Sequence, residues 1–160
     1  MKKISFSFLV LLFMFVLSSC NMVSAPHEPA LPVSEIENIL IVHFDNGLMD
    51  AANYENMEAY EVKDIDGFMT EFSELKFGLP DPTAFMDLQQ SCDAFVIAYR
   101  DGTVEVITYF AQVVLNVNDL ENMNPEDINP SNLDLKFETK SCDKEAFCLL
   151  LERYSSNSVL

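Results

Sequence analysis

The stretch from Ala94 to Leu115, AFVIAYRDGTVEVITYFAQVVL, constrains the fold of this chain more than any other. It reads as two strands joined at Asp101-Gly102. A two-residue type I′ turn needs positive φ at both central positions, and Asp-Gly tolerates this well. Such a turn makes Tyr99 face Val104, Ala98 face Glu105, Ile97 face Val106 and Phe95 face Thr108. Side chains alternate along a strand, so Phe95, Ile97, Tyr99, Val104 and Val106 then share one buried face. The other face is polar near the tip, at Arg100, Thr103 and Glu105, and apolar deeper down, at Val96 and Ile107. The second strand is expected to continue to Val117 through a bulge.

Other segments supply partners for this hairpin. Ile39 to Phe44 is a strand by length and β-branched content, and Asn46-Gly47 signals a second hairpin. In that register Phe44 faces Met49 and His43 faces Asp50. A His beside an Asp invites a catalytic reading, but no Ser or Cys nucleophile motif accompanies them, and the pair reads as an exposed cross-strand contact. Ala51 to Met57 reads as loop. Ala59 to Lys63 and Leu133 to Glu138 alternate and read as short strands.

Two helices are expected. In the first, Ile65, Phe68, Met69, Phe72 and Leu75 fall on one face, with Asp64 or Asp66 as the cap and Gly78 and Pro80 as the stop. The second starts at Ser141 or Asp143 and runs to about Tyr154. Phe147, Leu150, Leu151 and Tyr154 form its stripe, and Ala146, Cys148 and Leu149 widen it. The fold class is therefore α+β: an antiparallel β-sheet built from hairpins, with two amphipathic helices packed on one face.

The N-terminus carries a different message. Met1-Lys2-Lys3 is followed by an apolar run, Ile4 to Leu17, of the length of a secretory h-region and short for a membrane span. Leu17-Ser18-Ser19-Cys20 comes next. This leader resembles that of bacterial lipoproteins, whose lipobox is a Leu-type residue, two small residues and a Cys. The resemblance covers about twenty residues and implies nothing about the domain. It implies lipid attachment at Cys20, cleavage before it, and a protein anchored to a bacterial membrane facing outside the cytoplasm. Cleavage after Ala25, or an uncleaved anchor, are the competing readings. The expected organisation is a signal peptide over 1–19, a lipid-anchored flexible spacer over 20–33, and one acidic α+β domain over 34–160. His27, in the Pro-rich spacer, is expected to be exposed.

No acidic residue precedes Glu28, so all 26 lie beyond the leader, with seven of the nine Lys and Arg, leaving a net charge of −19 there. That charge repels phosphate and excludes nucleic-acid binding. It suits a solvated acidic surface or a cationic protein partner. Asn116 to Asn132 has no basic residue and is dense in Asn, Asp, Glu and Pro, and there Asp119, Glu121, Glu126 and Asp127 offer oxygen ligands for a cation or a partner contact. The stretch lacks calcium-loop spacing, and Asn and Asp also favour turns, so a surface loop is the plainer reading.

With Cys20 lipidated, three cysteines remain. Cys92 with Cys142 is the plausible disulfide, because each sits at the end of an element; three buried thiols are the alternative. No C-x-x-C, G-x-S-x-G, Walker A, G-x-G-x-x-G or H-E-x-x-H is present, and only four Gly and two His are available. No cofactor and no metal site is expected. The chain reads as a non-catalytic, membrane-tethered binding or interaction module. The alternatives are an immunity or inhibitor lipoprotein that intercepts a cationic protein, and a carboxylate-based hydrolase.

Overall fold

A computed structural model describes residues 25–78, 90–118, 136–138 and 140–156. The element order is β1 (Ala25–Pro26), a 3-10 turn, β2 (Ile36–Phe44), a 3-10 segment (Gly47–Asn56), β3 (Ala59–Glu61), α1 (Ile65–Phe72), β4 (Lys76–Phe77), β5 (Cys92–Tyr99), β6 (Thr103–Ile107), β7 (Gln112–Asn116), β8 (Lys136–Glu138) and α2 (Lys144–Ser156). Six strands form one antiparallel sheet in the order β3-β2-β5-β6-β7-β8, and β1 pairs with β4 in a separate two-stranded ribbon. The α+β class is as the sequence indicates.

The helices start where local chemistry sets them. Asp64 Oδ1 accepts the N–H of Gly67 at 2.9 Å, and Asp143 Oδ1 accepts that of Ala146 at 2.9 Å. Each satisfies one orphan donor of its first turn. Phe68, Met69 and Phe72 from α1 and Phe147, Leu150, Leu151 and Tyr154 from α2 are buried on one face of the sheet. Phe95 is central to that face, with ring centroids 4.8 Å from Phe68 and 5.0 Å from Phe147. Arg153 pairs with Glu71, tying the helices together at the surface. Leu149 is 56% exposed, so the buried stripe of α2 is narrower than expected.

The central hairpin is displaced by one residue from the expected register. Ala98 pairs with Val104, Ile97 with Glu105, Val96 with Val106 and Phe95 with Ile107. Three residues, Arg100-Asp101-Gly102, make the loop. Gly102 N–H bonds Tyr99 C=O at 3.0 Å, and Gly102 has φ of 85°. This is a turn closed by a left-handed glycine, the next commonest hairpin solution after the two-residue turn. A one-residue shift turns every side chain of one strand to the opposite face. Val104 and Val106 therefore leave the helix-covered face, and Glu105 and Ile107 join Phe95, Ile97 and Tyr99 on it.

The expected single strand from Val104 onward is also two strands. Thr108 Oγ1 accepts the N–H of Ala111 at 3.0 Å and that of Phe110 at 3.3 Å, and Thr108 N–H bonds Ala111 C=O at 2.9 Å. This hydroxyl-stabilised turn folds the chain back, so β7 lies against β6 rather than extending it.

The sheet is buried on both faces. Val42, Phe44, Ala94, Val96, Val104, Val106 and Val113 pack on the second face with Leu48, Ala51 and Tyr54. Those three residues come from the segment expected to be the return strand of a hairpin and a loop. Gly47, with φ of 63°, instead opens 3-10 structure that covers the sheet, and β2 takes β3 as its neighbour. Local turn chemistry identified the bend; the apolar second face decided what followed it.

A polar cleft over a buried carboxylate

The hairpin register places an acidic residue at the centre of the molecule. Glu105 is fully buried on the face shared with Phe95 and Tyr99. A carboxylate taken out of water needs donors to offset its lost hydration. Tyr99 OH donates to Oε2 at 2.8 Å, Gln112 Nε2 donates to Oε1 at 2.6 Å, and the N–H of Ala30 donates to Oε2 at 3.1 Å. Tyr99 belongs to the neighbouring strand, and Gln112 is a diagonal neighbour on β7, two residues before Val114, the direct partner of Glu105. Burial, reinforced by the adjacent carboxylate, raises the Tyr99 phenol above its ordinary range.

The fourth neighbour overturns an expectation. His27 is buried, not exposed. Its Nε2 lies 2.6 Å from Glu105 Oε1, off the alignment of a hydrogen bond, and Nδ1 has no partner among the described residues. The ring meets Phe72 and Phe77 edge-on at centroid distances of 5.2 and 5.4 Å. Pairing of Ala25 with Phe77 and Pro26 with Lys76 brings it there. The residues that receive His27 are 45 to 78 positions away in sequence, so its own Pro-rich surroundings carry no sign of the pocket. From Ala25 to Leu31 the chain acts as a strap across the sheet.

Beside the strap lies a cleft of about 440 Å³. Glu28 to Leu31 form one wall, β6 and β7 contribute Thr103, Gln112, Val114 and Asn116, and β8 closes it with Lys136 and Glu138. Glu138 accepts from Lys140, with a 2.6 Å ion-pair contact, and this lysine lowers the Glu138 pKa. Gln112 links the cleft to the buried carboxylate: its amide nitrogen is held by Glu105, while Oε1 is buried without a partner among the described residues. Gln112 thus lines the cleft while its acceptor, lacking a donor, is itself closed off from solvent.

Among the other candidates, Asp50 falls in the 3-10 segment and is not the cross-strand partner of His43. His43 pairs across β2 and β5 with Asp93, at 2.7 Å between Nδ1 and Oδ1, at the exposed end of the strand pair. The Cys92–Cys142 bridge is not formed; Cys92, Cys142 and Cys148 are free thiols. Cys92 packs against the second core cluster and Cys142 against the first, so the sheet lies between them. Burial, the larger cause, and neighbouring acidic side chains push the Cys92 thiol up to about 11 and that of Cys142 to about 12. Cys20, Asp119, Glu121, Glu126 and Asp127 lie outside the described residues. Among the described residues, no His, Cys, Asp and Glu cluster is placed to hold a metal, and no helix is long and apolar enough to cross a membrane.

Glu105 is the site residue that sequence reasoning missed. The two-residue loop register kept it on a polar face, which is where a charge costs least. The signal available was the Gly of Arg100-Asp101-Gly102, equally suited to close a three-residue loop. No protein-family model, curated protein or solved structure matches this chain.

Proposed function

We propose that this protein is a membrane-tethered binding module, anchored outside the cytoplasm through lipid on Cys20, that takes a small polar ligand in the cleft over β6, β7 and β8. The observation that carries the reading is Gln112: a buried side chain at the cleft floor, fixed by Glu105 and left with an unsatisfied acceptor. A bound donor that moves the Gln112 side chain enough to reach Oε1 would satisfy it, and an unmade buried hydrogen bond costs about 1–3 kcal/mol. Glu28 and Lys136 give the rim both signs of charge, which favours a ligand with both donors and acceptors. The lipobox-like leader supports the tether.

The test is a melting-temperature screen of polar small molecules against the wild type and Val114→Trp, which fills the cleft from its half-buried floor. A ligand that binds only the folded state raises the melting temperature, and filling the cleft should remove that rise. A compound that stabilises both proteins equally binds elsewhere and contradicts the reading.

The net charge of −19 beyond the leader favours a second reading, capture of a cationic protein. A partner released from the tethered protein between low and moderate salt would support it, because surface charge pairs are screened over about 10 Å at 0.1 M.

A further inference from the structure

The pairing of β2 with β5 brings three chemically connected side chains to the exposed end of this strand pair. Asp93 Oδ1 lies 2.7 Å from His43 Nδ1, and Ser91 Oγ lies 2.9 Å from His43 Nε2. The two contacts use opposite nitrogens of one imidazole. With the proton on Nδ1, held by the carboxylate, Nε2 is left as an acceptor for the hydroxyl proton, the arrangement that activates a serine. Asp45 Oδ1 is 3.7 Å from Nε2, beyond hydrogen-bond reach, and does not displace Ser91.

Ser91 and Asp93 also line a second cleft of about 180 Å³, which shares no lining residue with the first. Tyr109, Phe110, Phe147 and Leu151 give this cleft apolar surface. Lys144 lines it too, its ammonium 4.7 Å from the centre of the Tyr109 ring. Lys144 is also the first residue of α2, whose N-terminal end attracts negative charge.

We propose that Ser91, His43 and Asp93 form a serine-type acyl-transfer site that takes carboxylic esters with a short acyl chain. Ser91 Oγ attacks the ester carbonyl carbon as His43 Nε2 takes the hydroxyl proton. The tetrahedral adduct collapses, the C–O bond to the alcohol breaks, and His43 returns the proton to the departing alkoxide. Water then repeats the sequence on the acyl-Ser91 ester, releasing the carboxylic acid and restoring the hydroxyl. Lys144 supplies positive charge at the cleft for the developing oxyanion, and the apolar wall receives the acyl chain. Asp93 acts through the imidazole and is a positioning residue.

The His43 and Asp93 side chains are 54% and 56% exposed, so substrate reaches the site without a conformational change and the variants leave the core untouched. The full chain is incubated with p-nitrophenyl acetate, and separately with a fluorophosphonate probe followed by peptide mass mapping. Release of p-nitrophenol with a single adduct on Ser91 is expected. Ser91→Ala should abolish both, and His43→Gln should slow both by about 100-fold or more. Asp93→Asn should slow acylation at an unchanged melting temperature, and Asp93→Glu should recover part of the rate. Ser73→Ala, at the end of α1, should react as the wild type. The proposal is overturned if no adduct forms, if it forms on the Cys148 thiol of the same cleft, or if His43→Gln is labelled at the wild-type rate.

Discussion

The hydroxyl of Tyr99 donates to Glu105 Oε2 at 2.8 Å across the central hairpin, with both side chains buried. The contact exists because Tyr99 and Glu105 fall on the same face in the observed register, as diagonal neighbours across β5 and β6. It joins the strap, β5, β6 and β7 through one carboxylate. Each donor to that carboxylate comes from a different element, so the network holds the register as well as using it.

Removing the carboxylate is therefore expected to cost more than removing one donor. Tyr99→Phe should destabilise by about 1 kcal/mol, the net worth of an ordinary hydrogen bond. Glu105→Ala strands three donors and should cost roughly 3 kcal/mol or more. Urea unfolding of both variants and of the double variant checks this. A double variant that costs the sum of the two singles would mean the residues do not interact.

Alkali should unfold the protein early. Burial, the leading cause in each, raises the phenols of Tyr99, Tyr54 and Tyr154 above their ordinary 10.0 and the thiols of Cys92 and Cys142 above their ordinary 9.0. These acids ionise more readily in the unfolded chain than in the folded one. Their contribution is fully present below the unfolded pKa and is lost as pH rises towards the folded value. Stability should thus fall from about pH 9 upward, and Tyr99→Phe should show a shallower fall. A flat melting temperature from pH 8 to 11 would contradict the burial of these groups.

Gly102 should resist replacement. Its φ of 85° lies in the left-handed region, and a Cβ there would collide with the Asn118 side chain, which donates to Asp101 C=O at 3.1 Å. Gly102→Ala should cost about 1–2 kcal/mol from backbone conformation alone. Gly78→Ala is the control, since among the described residues its Cβ would meet only Ser141 C=O at 3.8 Å, an ordinary contact. Equal stability of the two variants would contradict the left-handed backbone at Gly102.

The strap depends on His27. His27→Ala removes the ring from between Phe72, Phe77 and Glu105, and should expose the bonds around Glu28 to Leu31 to limited proteolysis. Cleavage there should be several-fold faster than in the wild type, while the helices stay protected. An unchanged digestion pattern would show that β1 pairing alone holds the strap.

Membrane attachment is expected to rest on Cys20. Two or more acyl chains hold a protein stably, and one holds it only marginally. Cys20→Ala should move the protein from the membrane to the soluble fraction of the expressing cells and abolish palmitate incorporation. A variant that stays membrane-bound at mature size would remove the lipid from the account.

Some of this molecule was legible residue by residue. Asp64 and Asp143 announce helix starts, because a side chain three positions from a free N–H needs no distant help. The spacing of Phe68 and Phe72, and of Phe147, Leu151 and Tyr154, reveals which face of each helix is buried. The alternation in Phe95, Ile97 and Tyr99 marks a strand with a buried face, but not that its other face, at Ala94, Val96 and Ala98, is buried as well. From such local signals the α+β class follows. What no local signal could decide is the pairing. Asp101-Gly102 and Arg100-Asp101-Gly102 are both good loops, and they differ by one residue, which in a structure of period two exchanges one face for the other. The choice was made by Tyr99, Gln112, Ala30 and His27 converging on Glu105, four residues from separate parts of the chain. Short-range chemistry settles where elements begin and which way they curl; only the assembled sheet could make room for a charge at its centre.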